Sequence, residues 1–557
     1  MPSTPTKPPS LPIHSTPHSQ GSGSHYSYHS RNLQEHYKPY LKEDLKHKRT
    51  ITFDAFLNEV LHLSTDWIER NASHIRGIVD TKPFLAMISK YCEPMAHETH
   101  RYSPFIVLAN HVVGKLAHNS ESNLSFCRND PIHVRGSSGQ RKPDVVGVIW
   151  RCLQLAARSS VDNLMKDGPN GQPFWWTELL AFLEFKLNRY DLSDFVGRNV
   201  QTRDQSSSKS YDCFYAFSYQ RFVLAVVPST SQPSSSSESK SRKRTTPRTD
   251  PPSRTMITRS GSRPSSTSAS GSKRISPAMS SDTPHKSKKL KAEGESLADD
   301  SMLQCASYAL EILSHGGLRS HVIGALVTDD TIELLYYDRS IVIVSEPLNF
   351  IKDQPRFIAV LQALASLSLQ QWGYAANVLK PAPLLDNPLR TTDIFDGLEL
   401  NLCNGSRLRL GGTVFHQHGL IGRGTCVVRA TCIEKGNGVS DEAWNGQLIV
   451  KLSWPARSRM SEQVIIEQAR SKADNDEHRW VLKHLPKVLH AEDVDANLLS
   501  QALIDRLGDG YEARILRMMV QEELFPITER VTAADLAESF REIFQCGYSR
   551  LLPYCDG

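Results

Sequence analysis

Between Gln201 and Asp299 the chain is dominated by Ser, Thr and Pro with Lys and Arg among them, and this tract decides what the remainder can fold into. A segment with so little to bury cannot offset an ordering cost of ~1 to 2 kcal/mol per residue, so it is predicted to be a disordered insertion. One piece inside it differs. YDCFYAFSYQRFVLAVV, Tyr211 to Val227, is aromatic and apolar, and reads either as a short strand or as an unspliced stretch carried into translation. Sequence on both sides of the tract carries regular apolar periods. The pattern of strands before it, then helix, strands and helix after it, makes it an insertion within one domain, which loop-closure entropy penalises only weakly.

The insertion also holds the charge. From Ser229 to Lys291 there are 14 Lys or Arg against 3 Asp or Glu, a surplus of 11, so the rest of a chain of formal charge +5 carries −6. Basicity is therefore no evidence for a nucleic-acid-binding face on a folded domain. The clusters SRKRTTPR and HKSKKLK read as nuclear localisation signals, as salt-sensitive nucleic-acid contacts or as a solubilising tether. A base-stacking platform is not supported, because this part of the tract lacks aromatic residues.

Hydrophobic residues at 39% and charged residues at 22% are globular averages, so the flanks, undiluted, are richer in core material. With 557 residues there is enough for two sizeable cores. The ten Cys show no CxxC pair and no zinc-finger spacing, which points to free thiols in a reducing compartment. The N-terminus lacks an apolar signal region and no apolar run reaches the ~18 residues of a membrane span. These features predict an intracellular protein, nuclear or cytoplasmic, without a membrane partner.

The predicted organisation is α+β. Residues 1–31 form a disordered arm. Residues 35–200 with 300–395 form an α/β module interrupted by 201–299. Residues 398–546 form a second domain, and 547–557 an aberrant tail without period. Helical spacing marks ITFDAFLNEVLHL and YSPFIVLANHVVGKL; RKPDVVGVIW and WWTELLAFLEFKL read as strands. After the insertion come a helix from Ser301, strands within His321 to Ser345 with turns at Asp329-Asp330 and Asp338-Arg339, and a long helix.

In the second domain, LIGRGTCV lies between two predicted strands, where a glycine turn brings backbone N–H groups against phosphate oxygens. Lys451 follows 27 residues after Gly424, in a strand of alternating Leu448, Val450 and Leu452, and a helix with Glu462 and Glu467 comes next. Turn, strand lysine and helix glutamate in that order are the kinase device for orienting the phosphates of ATP. GLIGRGTCVVRA, QLIVKLSWPARSRMSE and ADLAESFREIF resemble the N-terminal lobe of the fungal-type protein kinases. QCASYALEILSHGGLRSHVIGALVTDDTIELLYYDRS and the stretches before it resemble the module preceding that lobe.

The resemblance implies ATP and Mg²⁺ as cofactors, Ser/Thr phosphotransfer as the family activity, and a protein substrate or partner. Gly422, Gly424, Thr425 and Val427 would form the phosphate-covering turn, with Val427 where a third glycine is usual. Lys451 would pair with the α and β phosphates. Glu462 would hold the lysine, with Glu467 as runner-up, and Gln521, Glu522 and Glu523 would border the adenine pocket. No H-R-D loop and no D-F-G occur, His478-Arg479-Trp480 being the nearest pattern, so the domain reads as a partial lobe truncated before its catalytic loop.

Upstream, Pro143-Asp144 at a strand entrance and Glu184-Phe185-Lys186 at another strand's end give PD…ExK, 40 residues apart. Two carboxylates on adjacent strands can share a divalent metal, and Lys186 projects with Glu184 by the period of two. Gln304 and Tyr308, four apart, share a face of the following helix. The set resembles the restriction-endonuclease-like superfamily with a Q-x-x-x-Y helix. Three readings therefore stand together: kinase-family protein, non-catalytic recognition protein, and metal-dependent nuclease.

Overall fold

The structure, a computed structural model, describes residues 30–549 except 65, 117–122, 138, 157–160, 170–171, 190–191, 193–292, 376–377, 381–390, 437–441, 475–478, 497–498 and 525–531. The expected arm up to residue 29, the Tyr211 to Val227 piece, the basic clusters and the last eight residues lie outside these. All described elements, the first residue of one helix apart, fall in one compact unit made of Met1–Tyr219 and Gly294–Gly557. The architecture is a mixed α+β one built on two sheets.

The first sheet gathers β1 (Arg49–Ile51), β2 (Leu124–Arg128), β3 (Val145–Ile149), β4 (Leu179–Lys186), β5 (His321–Thr328), β6 (Thr331–Asp338), β7 (Val342–Ser345) and β8 (Leu348–Asn349). Its order is β1-β7-β6-β5-β4-β3-β2, with β8 beside β6. β3 and β4 are antiparallel, while β4 and β5 run parallel with Ala181 opposite Ile323 and Lys186 opposite Thr328. Parallel neighbours need a crossover. Here it is the route through 187–320, which ends in the helix Glu293–His315. The strands on either side of the insertion thus belong to one sheet.

Helices cover both faces. In chain order the described ones are α1 (Ser30–Lys46), α2 (Phe53–Glu59), α3 (Trp67–Arg70), α4 (Ala72–Val79), α5 (Lys82–Cys92), α6 (Thr99–Leu116), α7 (Trp150–Ala156), α8 (Val161–Asp167), α9 (Glu293–His315), α10 (Gln354–Ser366), α11 (Glu462–Ala473), α12 (Gln501–Leu507) and α13 (Ala533–Ser549). Strand alternation sends Phe185 to α6, where its ring lies 5.3 Å from Phe105, and Phe182 to α9, 5.5 Å from Tyr308. Opposite Phe182 in β5 stands Gly324, where a Cβ would come within 2.3 Å of the ring, so only glycine admits it. The sequence places Phe53, Phe56, Leu57, Val60 and Leu61 on one helical stripe, and all five are buried.

Three boundaries differ from expectation. α1 starts at Ser30, inside the expected arm, and α9 starts at Glu293 rather than Ser301. The added turns of α9 read EGESLADD, acids that favour the positive end of a helix dipole and that an apolar-period search passes over. At the other end α13 runs through Ser549, so Gly547 to Ser549 are helical and not an aperiodic tail.

The second sheet is antiparallel, in the order β14-β15-β13-β12-β11-β10-β9: β9 (Leu379–Lys380), β10 (Glu399–Asn401), β11 (Arg407–His416), β12 (Cys426–Glu434), β13 (Leu448–Ser453), β14 (Val488–Val494) and β15 (Leu516–Glu522). Leu408, Leu410, Val428, Ala430, Leu448, Val450, Leu452, Met518 and Val520 make its core. Two connections leave this sheet and enter the first module's core: Leu420 and Ile421 from the β11–β12 loop, and Leu499 and Leu503 from the β14–β15 connection carrying α12. There the Ser500 N–H donates to the carbonyl of Glu59 at 3.3 Å, and Arg506 pairs with the Glu59 carboxylate.

Candidate functional site

A group of ionisable side chains sits where β3, β4, α6 and α9 converge. Asp144 directly precedes β3, and the register of Val145 opposite Leu183 brings it alongside Glu184. Its Oδ2 accepts the Phe185 N–H at 2.8 Å. Glu184 is 1% exposed, with Oε1 accepting from Lys186 Nζ at 2.6 Å and Oε2 lying 3.1 Å from the Tyr308 hydroxyl. Gln304 Nε2 donates to that hydroxyl at 2.7 Å. All five residues of the sequence-predicted PD…ExK and Q-x-x-x-Y set are therefore drawn into one network.

Periodicity passes over three further members. Glu98, just before α6, and Tyr102 in its first turn stand four apart. Tyr102 donates to Glu98 at 3.1 Å, and Glu98 lies 3.8 Å from Lys186 Nζ. Lys142, two residues before Asp144, pairs with Asp130 at 2.8 Å. The available signal was an acid and a tyrosine at helical spacing between β1 and β2, which means nothing until the helix is laid against the sheet.

Electrostatics follow from burial. Desolvation, then the neighbouring Glu184, push the Asp144 carboxyl up to about 8. Burial also raises Glu184, although Lys186 and Tyr308 oppose it. Desolvation would lower Lys186, but Glu184 and Glu98 outweigh it and the net shift is upward. Two buried carboxylates side by side repel, and a hard divalent cation relieves that repulsion as a proton does. Carboxylate oxygens are the donor set that Mg²⁺ or Mn²⁺ takes, so the residues fit such an ion.

The second group is at β13. Lys451 hydrogen-bonds Glu462, the first residue of α11, whose N-cap Ser461 accepts from the Val464 N–H at 3.2 Å. Glu467 is not at the lysine; it accepts from Gln463 at 2.7 Å. Of the residues expected at the adenine edge, Glu523 accepts from Arg429 at 2.8 Å, Glu522 is opposite Leu448 in the strand ladder, and Gln521 Oε1 is buried with no hydrogen-bond partner among the described residues.

The glycine turn lies against the first module. The Gly422 N–H donates to the Arg339 carbonyl at 2.8 Å, and the Arg339 guanidinium donates to the carbonyls of Gly419 and, at 2.7 Å, Leu313. Gly424 has φ +48°, and a Cβ there would come within 2.6 Å of Arg339 Cζ. Thr425 exchanges hydrogen bonds with Gln417, and Val427 is paired with Lys451 in the ladder. So the YYDRS arginine and the glycine turn, far apart in sequence, meet. In this arrangement the Gly422 amide faces a protein carbonyl where the sequence reading put a phosphate.

The family model described as fungal protein kinase matches residues 278–502. The match takes in α9 with Gln304 and Tyr308, strands β5 to β8, the glycine turn, Lys451 and Glu462, so it spans parts of both sheets. No curated protein and no solved structure matches the chain. Over those residues the chain is similar to the fungal protein kinases.

Proposed function

We propose that the second sheet is a nucleotide-binding lobe of the protein-kinase type. The observation that carries this is the pairing of Lys451 on β13 with Glu462 on the helix that follows, in a sheet whose strands run β14-β15-β13-β12-β11. In a kinase the third strand's lysine and the next helix's glutamate form that pair. Lys451 would hold the α and β phosphates of ATP, Glu462 would keep the ammonium aimed at them, and Mg²⁺ would neutralise phosphate charge. Ser/Thr phosphotransfer to a protein additionally needs an aspartate base and a metal-holding aspartate, for which no H-R-D or D-F-G is present between residues 1 and 557. The lobe's contribution is therefore positioning. Binding of a fluorescent ATP analogue to the full chain, weakened at least about tenfold by Lys451→Ala, is the expected result; equal affinity for both proteins sinks the reading.

A second reading has its own observation: Asp144, Glu184 and Lys186 converge, with Tyr308 on Glu184. That arrangement suits metal-dependent cleavage of a phosphodiester. The two carboxylates would hold the cation, which supplies Lewis-acid polarisation and a water of lowered pKa. Lys186 places positive charge beside the site, and Tyr308 steadies the Glu184 carboxylate. Mn²⁺-dependent cleavage of single- or double-stranded nucleic acid, lost in both Asp144→Asn and Lys186→Ala, is the test. Cleavage retained by both variants removes this reading, and no cleavage at all leaves the module a recognition element.

A further inference from the structure

A different cluster of side chains lies at the open ends of the second sheet. Cys403 is in the turn between β10 and β11, while His490 and Glu492 are two apart on β14, the strand at one edge. Three strands, β15, β13 and β12, lie between β14 and β11 in the pairing order, yet the sheet curls until β14 and the turn meet: the Cys403 N–H donates to Glu492 Oε2 at 2.7 Å. His490 Nε2 lies 2.8 Å from the same oxygen and 3.8 Å from Cys403 Sγ. The three ligand atoms lie within 4.8 Å of one another. His490 and Glu492 are mostly covered, at 13% and 10% side-chain exposure, whereas Cys403 faces solvent.

We propose that Cys403, His490 and Glu492 form a binding site for a borderline-soft divalent transition cation, Zn²⁺ above all, with solvent in the fourth position. The donors decide the ion. A thiolate sulfur and an imidazole nitrogen with one carboxylate oxygen are zinc ligands, whereas Mg²⁺ and Ca²⁺ take oxygen sets such as the one at Asp144 and Glu184. Bonds of about 2.3 Å to sulfur and about 2.0 Å to nitrogen and oxygen, at tetrahedral angles, set ligand atoms about 3.3 to 3.6 Å apart. The sulfur–nitrogen separation is already close to that. The nitrogen–oxygen separation must open by about half an ångström, a change of side-chain torsion on a strand where alternation points both residues the same way. The backbone N–H of Cys403 on Glu492 fixes the carboxylate from behind, the role an outer partner plays for a metal ligand.

The ion would act as a clasp, joining the β10–β11 turn to the edge strand β14. Sequence spacing hides such a site, since its ligands lie 87 residues apart and on different elements.

The test uses the full chain, stripped with a chelator and titrated with Co²⁺ as a spectroscopic substitute and with Zn²⁺. The expected result is a single equivalent showing a thiolate-to-cobalt charge-transfer band, bleached by Zn²⁺. Cys403→Ser should lose the band and His490→Gln should weaken binding at least about tenfold, while Cys432→Ser keeps both. Zn²⁺ should raise the melting temperature of the wild type and not that of Cys403→Ser, since a ligand of the native state stabilises it in proportion to its binding. Absence of a thiolate band in the wild type overturns the proposal without any variant. So does a band that survives in Cys403→Ser, or zinc stoichiometry equal in the two proteins; in those cases the three side chains are a hydrogen-bonded trio only.

Discussion

Asp144 is the residue whose chemistry is most changed by folding. Its carboxyl goes from an ordinary 3.8 to about 8, so the folded chain holds a proton that the unfolded chain has released between those values. The sign follows from linkage: a raised acid contributes stability in its protonated form, and that contribution declines as pH climbs from near 3.8 toward about 8. Glu184, also raised, acts in the same sense. Melting temperatures across this window should fall for the wild type and fall less for Asp144→Asn. Mn²⁺ should restore stability to the wild type at the alkaline end and do little for the variant. A wild-type profile that stays flat, or that rises with pH to the same degree in both proteins, contradicts the buried-pair electrostatics.

At the scale of elements, legibility depended on whether a period or a turn signal was local. Leu448, Val450 and Leu452 alternate and form β13, and Asp329-Asp330 joins β5 to β6. β1 and β2 went unread, because three to five residues carry too short a pattern and β1 gains its place by parallel pairing with β7, almost 300 residues later. The carboxylate pair was visible as motif letters, yet Glu98 joins it only through the packing of α6. Arg339 looked like a hairpin residue, and its contacts with Gly419, Gly422 and Leu313 are set by the docking of one sheet on another. The parallel pairing of β4 with β5 gives a test at this scale. A chain carrying an added protease site within 229–285, cut under native conditions, should run as one complex, because β4, β5 and the buried side of α9 remain joined. Two fragments that separate on gel filtration would show that the pairing is too weak to hold across the insertion.

At the scale of the whole molecule, the two sheets meet through a few well-defined contacts: the glycine turn on Arg339, α12 against Glu59, and Ser340, which receives a hydrogen bond from Arg514 at 3.0 Å. Arg339→Met should lower the melting temperature, since the carbonyls of Gly419 and Leu313 lose their donor. The same substitution should tighten nucleotide binding, because the Gly419 end of the turn loses its tie to the guanidinium, while the Gly422 N–H keeps its bond to the main-chain carbonyl of residue 339. Weaker or unchanged affinity for the ATP analogue would mean that the turn plays no part in binding. Arg339 touches the turn on one side and, on the other, the last turns of α9, five residues beyond the Tyr308 that steadies Glu184. Linkage makes such an arrangement reciprocal: whatever factor a nucleotide imposes on occupancy at the carboxylates, an occupant of the carboxylates imposes on the nucleotide. An arginine that serves as a structural rivet would then also set the coupling between the two sites proposed for the separate sheets.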